Sequence, residues 1–233
     1  NISGPQYYPG EKRAADYFPQ LTPDTTATAG RKQVGVVNRD PHSTPGIIHD
    51  TFLEAISTAR HSIRIINPYF TLCPHLKRAL KEAAARGVDV QVMVSEKSDI
   101  PITPRIVEYN VNKLMRAGVK VYFYQGGFHH SKIMMVDSIY SFIGSANLNS
   151  RSLSFDYECN LLIADAPTTH QLISLFNRDR DEHCYLLTPE LWKQLPKWNK
   201  FKGWLFHFLT PFVDAPKRRQ GIPGMIIIDR LYA

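Results

Sequence analysis

Between residues 130 and 147 the chain carries His130-Ser-Lys132-Ile-Met-Met-Val-Asp137 and, after six further residues, Gly144-Ser145-Ala-Asn147. In an extended strand successive side chains alternate, so His130 and Lys132 share one face while Ile133 and Met135 take the other, against a helical layer. An imidazole and an ammonium about 7 Å apart along a strand make an anion site that contains a nucleophile. The Gly144-Ser145 turn can add backbone N–H groups and a hydroxyl, and Asn147 an amide donor. Every side chain in this set is a donor, a cation or a nucleophile, which is what transfer of a phosphoryl group requires. The neighbouring His129 faces the opposite way and reads as a core or surface residue. There is no HExxH and no clustered Asp/Glu set, and Cys73, Cys159 and Cys184 are far apart with no CxxC. Neither a metal, a cofactor nor a disulfide framework is therefore expected.

The elements that must position these residues follow from periodicity. Residues 130–136, 141–144 and 157–164 read as strands in close succession, closed by a long helix over about 168–184. Upstream, helices over 46–60, from Pro74 to Gly87 and from Pro104 to Gly118 alternate with strands over 62–67, 88–94 and 119–124. Strands separated by amphipathic helices imply right-handed crossovers. The fold class expected is α/β, a mixed, mostly parallel sheet covered by helices on both faces. Six prolines up to Pro45 and a Thr-rich stretch defeat any period before Gly46. Three regions result: 1–33, a linker or irregular arm; 34–187, the catalytic domain; and 188–233, a tail.

The 233 residues are 43% hydrophobic and 21% charged, an ordinary globular balance that excludes a disordered or collagen-like chain. The net charge of +7 is concentrated. Between Lys193 and Arg219, the cations Lys193, Lys197, Lys200, Lys202, Lys217, Arg218 and Arg219 face a single anion, Asp214. A basic tail points to an anionic partner, either nucleic acid or an anionic membrane surface. The run GWLFHFLTPFV over 203–213 reads as an interfacial anchor between basic flanks, or as a helix packed on the core. No apolar run reaches the roughly 18 residues of a membrane span. The chain begins at Asn1 without Met, as a piece or a processed product of a longer protein would.

HxKxxxxD followed after six residues by GSxN resembles the signature of the phospholipase D superfamily, and His130, Lys132, Asp137, Gly144, Ser145 and Asn147 match it without a gap. Further segments are similar to the C-terminal halves of bacterial cardiolipin synthases: Asn67-Pro-Tyr-Phe70, Arg86-Gly-Val-Asp-Val90, Ser95-Glu-Lys-Ser-Asp99, Ala117-Gly-Val-Lys-Val121 and Gly144 through Ser152. The resemblance implies a phosphatidyltransferase working through a phosphohistidine, with Glu158 as the acid that orients the histidine and Asp137 mainly structural. It implies an anionic phospholipid substrate at the cytoplasmic face of a bacterial membrane. It also implies two HxKxxxxD motifs per site, whereas this chain has one. The near miss from His75 through Lys77 to Glu82 sits in an Ala-rich helix, where residues i and i+2 face apart. The second histidine is thus expected from an upstream segment or from a second copy in a homodimer. A single-motif homodimeric nuclease of the same superfamily is the alternative.

Overall fold

The computed structural model describes residues 32–213, with side chains through His207. Eight strands form one sheet in the order β1-β7-β6-β5-β2-β3-β4-β8. The first half alternates strand and helix: β1 Gln33–Arg39, α1 Ile47–Thr58, β2 Ser62–Ile66, α2 Pro74–Ala85, β3 Asp89–Ser95, α3 Thr103–Met115 and β4 Lys120–Tyr124. Then come β5 Ile133–Val136, β6 Tyr140–Gly144, the short α4 Ser150–Ser154, β7 Glu158–Ala164, α5 Ala166–His183, β8 Cys184–Leu186, α6 Pro189–Gln194 and α7 Lys197–Val213.

The α/β class and the mixed sheet are as expected, but the sheet is not mostly parallel. Only β2 with β3 and β3 with β4 run parallel; the other five pairings are antiparallel. The reason is connection length. Helical crossovers return the chain in the same direction through β4, whereas β5 and β6 are joined by three residues, which permits only a hairpin. A second correction concerns the amino-terminal stretch that reads as irregular up to Pro45. Gln33–Arg39 is an edge strand antiparallel to β7, in register from Gln33 opposite Ala164 to Arg39 opposite Glu158. Pro41 and Pro45 follow this strand and do not interrupt it. The β8 pairing with Tyr122–Tyr124 and the α4 turn carry too few residues for any period to register.

Alternation along the strands divides the core between the two faces. Ile63, Ile65, Val92, Val94, Val121, Phe123, Met134 and Val136 pack with α1, α2 and α3. Ile66, Met93 and Met135 pack on the other face around the fully buried Phe176 of α5. Both helical layers thus bear on the central strands, and the ends of those strands are held rigidly.

The region from residue 188 is not a free tail as far as it is described. It forms α6 and α7, and α7 lies against α3: Gly203 is buried there, and a Cβ on it would run into the backbone carbonyl of Arg105. Farther along, the His207 Nδ1 lies 3.2 Å from the Asn110 amide nitrogen, and its ring lies against Tyr109. The opposite side exposes Trp198, Phe201 and Trp204, whose rings follow one another at 5.4 and 5.8 Å. Among the described residues no helix is long and apolar enough to cross a membrane. The arm over 1–31 and the cluster Lys217, Arg218 and Arg219 lie outside the described residues.

Candidate active site

The site lies where β5 begins. The strand is shorter than its sequence pattern suggests: it starts at Ile133, and His130 and Lys132 occupy the extended segment just before it. The ladder still reaches this segment, since the Gly144 N–H donates to the Lys132 carbonyl at 3.3 Å. The two side chains meet, with Lys132 Nζ 3.1 Å from His130 Nε2 and 2.9 Å from the His130 carbonyl. An ammonium can only donate, so His130 Nε2 is the acceptor in this pair. Burial pushes the Lys132 ammonium below its ordinary range, partly offset by the carboxylates of Glu158 and Asp99. His130 itself is exposed.

His129 has a role that its residue type alone did not disclose. Its N–H donates to Ser95 Oγ at 2.7 Å, its carbonyl accepts from the same hydroxyl at 3.3 Å, and its Nε2 lies 3.5 Å from Asp179 of α5. The backbone entering His130 is therefore tied both to the end of β3 and to the helix beneath the sheet. Two rings flank His130 itself: Phe128 at 5.1 Å and Tyr69 at 5.8 Å, the latter edge to face. The Tyr69 hydroxyl donates to Asp99 at 2.5 Å.

The other wall is the turn after β6. Gly144 is required there by close approach, because a Cβ would collide with the Asn160 side chain and the Cys159 carbonyl. Backbone bonds grip the turn against β7: Ser145 N–H to the Cys159 carbonyl at 3.1 Å, and Cys159 N–H to Ser145 Oγ at 3.0 Å. The Ser145 hydroxyl has one proton, and it donates that proton to Glu158 Oε2 in a short bond. Ser145, expected to bind phosphate, thus holds the carboxylate in this structure, and Glu158 is bonded to Ser145 and not to His130. Asn147 donates to Ser152 at 3.4 Å, and its buried carbonyl oxygen has no partner.

Under Glu158 lies Arg39, which the sequence did not single out. It is fully buried and donates to the carbonyls of Pro45 at 2.9 Å, Leu153 at 3.0 Å and Asp156. Burial lowers its pKa, opposed by the charges of Asp156 and Glu158. A charged arginine closing a strand has no local signature; only the β1–β7 register puts it beside Glu158.

Asp137 is not brought to His130. It lies past the far end of β5, where its carboxylate accepts from the N–H groups of His61 at 2.7 Å, Ser62 at 2.8 Å and Arg60 at 2.8 Å. It is a clamp between β5 and the start of β2. The near-miss pair on α2 is engaged elsewhere: Lys77 donates to Asn110 at 2.7 Å, and the His75 ring contacts His49. Burial, then the charges of Lys113 and Lys81, push the Lys77 ammonium down to about 8. Among the described residues no group of three His, Cys, Asp or Glu is placed to hold a metal ion.

The fold is that of phospholipase D-like proteins. Phosphatidylserine synthase from Haemophilus influenzae superposes with a TM-score of 0.61 at 18% identity, over 78% of this chain and 46% of that one. Nuc from Salmonella typhimurium, a phospholipase D family member, gives 0.57 at 22% identity, over 67% of this chain and 99% of that one. Residues 52–180 match the family model described as cardiolipin synthase, PLD-like domain, and the chain belongs to that family. A cardiolipin synthase of Listeria welshimeri is 32% identical over 198 residues, which is 85% of this chain and 41% of that protein. The chain thus spans about two fifths of the length of the curated relative it matches.

Proposed function

We propose that this chain supplies one half of a phosphatidyltransferase site of the cardiolipin synthase type. The observation that carries the reading is the convergence of Lys132 Nζ on His130 Nε2 beside the Ser145–Glu158 pair, in a chain of this family. The second half comes from another HxKxxxxD motif, on an upstream segment or a second copy.

In the first step one histidine nitrogen attacks the phosphorus of a phosphatidylglycerol. An N–P bond forms, the P–O bond to glycerol breaks, and the opposite histidine gives the departing alkoxide its proton. In the second step a hydroxyl of another phosphatidylglycerol attacks the same phosphorus, returns a proton to that histidine and breaks the N–P bond. The products are one cardiolipin and one glycerol. We assign His130 the acid/base role, and Lys132 the non-bridging phosphoryl oxygens. The Lys132 ammonium caps His130 Nε2 until substrate arrives; a phosphoryl oxygen draws it away, and Nε2 takes up a proton from solvent, gives it to the departing alkoxide in the first step and regains one from the attacking hydroxyl in the second.

The same reading puts the protein on the cytoplasmic face of a bacterial membrane, with Trp198, Phe201 and Trp204 toward the lipid. Two substrates decide between lipid transfer and the nuclease alternative. Phosphatidylglycerol vesicles are expected to be consumed and single-stranded DNA left intact; cleavage of DNA with no lipid turnover would overturn the assignment.

A further inference from the structure

Beside His130 lies a pair that the chemistry above does not use. Tyr69 follows Asn67-Pro68 at the end of β2, and Asp99 stands in the loop between β3 and α3. The Tyr69 ring packs edge to face on His130 while its hydroxyl holds Asp99 Oδ1, which also accepts from Ser98 at 3.2 Å. Asp99 is exposed, so its carboxylate faces the space beside His130. The Tyr69 bond, with help from Ser98 and the loop backbone against a small effect of burial, holds the Asp99 carboxyl below its ordinary range. Burial and then the Asp99 bond push the Tyr69 phenol up to about 12. The pair therefore stays a fixed phenol and an ionised carboxylate across physiological pH.

We propose that Asp99, positioned by Tyr69, is the subsite that recognises an uncharged polyol headgroup on the lipid bound at His130. This rests on the phosphatidyltransferase reading and adds which residues recognise the glycerol headgroup. Asp99 is close enough to Lys132 to act on its charge. A headgroup entering between them meets an acceptor-only carboxylate on one side and a donor-only ammonium on the other. An anionic headgroup is repelled by Asp99, and an ammonium headgroup is opposed by Lys132, which also competes with it for Asp99. A glycerol hydroxyl can donate to the exposed Asp99 carboxylate and accept from Lys132, with Phe128 and Tyr69 forming the apolar wall behind its carbons. The same carboxylate disfavours a polyanionic nucleic-acid backbone at this position.

The test is a binding titration followed by the NMR signals of the His130 ring, using the whole chain and three water-soluble diesters: dimethyl phosphate, glycerophosphoglycerol and glycerophosphoethanolamine. Glycerophosphoglycerol is expected to bind about tenfold more tightly than the other two, the scale of one hydrogen bond to a charged group. Asp99→Asn and Tyr69→Phe are expected to erase that margin while dimethyl phosphate still binds. Equal binding of all three diesters by the unaltered chain, or a margin that survives both substitutions, overturns the subsite. Loss of dimethyl phosphate binding in the variants also overturns it, because the pair would then act by holding His130. If no diester perturbs His130, the phosphodiester site itself is wrong and the subsite falls with it.

Discussion

His130 and Lys132 are two residues apart on extended backbone, and that spacing alone brings an ammonium to an imidazole nitrogen. Removing either should act on the chemistry and not on the fold, since both lie before β5 and outside the core. Lys132→Ala is expected to lower the turnover of a soluble phosphodiester by roughly 30- to 1000-fold, about 2 to 4 kcal/mol for a preorganised donor. A loss below threefold would remove Lys132 from the site. Ser145 and Glu158 form a unit, a hydroxyl donating to a buried carboxylate. Ser145→Ala and Glu158→Gln should therefore be non-additive, the double variant no slower than the worse single one. Additive losses would mean that Ser145 acts directly on substrate. This residue scale was largely legible in the sequence, because HxK and GS act over short spacings. Arg39, Asp99 and the His129 tether were not, because each acquires its role from a partner at least 30 residues away: Asp156 and Glu158, Tyr69, and Ser95 with Asp179.

Two elements are fixed by single residues. Asp137 ties the far end of β5 to β2 through three backbone N–H groups. Burial works upward on its carboxyl, but the bonds from Ser62, Arg60 and His61 outweigh it and leave the pKa below the ordinary value. The sign follows: its stabilisation is complete above about pH 4, the range of an unfolded carboxyl, and is lost as pH falls through the lower folded value. Asp137→Ala should cost on the order of 2 kcal/mol in urea unfolding at neutral pH, and the mutant should unfold with less dependence on acid. An unchanged midpoint would deny the clamp. Gly203 is the second case. Gly203→Ala places a methyl against the Arg105 carbonyl and should loosen α7, at about 1 to 3 kcal/mol of overpacking; amide exchange along α7 reads this, and unchanged protection would refute the close contact. The alternation of β2, α2, β3, α3 and β4 was readable because each has a full period. Of the antiparallel half, β5, β6 and β7 were readable as strands but not as directions, since direction depends on how briefly β5 and β6 are joined.

At the scale of the molecule, α7 packs Gly203 and His207 on α3 and presents Trp198, Phe201 and Trp204 outward. Lys202 lies over the Trp198 ring, and Lys200 over Trp192. Rings with lysines beside them suit an anionic lipid surface, each basic residue contributing about 1 kcal/mol near it. Binding to phosphatidylglycerol vesicles should weaken with salt without vanishing, and the triple change of Trp198, Phe201 and Trp204 to Ser should remove the salt-resistant part. Equal co-sedimentation of the triple variant would leave α7 as a packing helix only. The central claim is transfer of a phosphatidyl group at a site containing His130. Its most direct test is the product balance on phosphatidylglycerol vesicles, in the assembly that brings a second HxKxxxxD motif to His130, with and without His130→Ala. One glycerol released for each cardiolipin formed, with both abolished by the substitution, is the expected result; a near-unaltered rate in His130→Ala, or glycerol released with no cardiolipin, would contradict it.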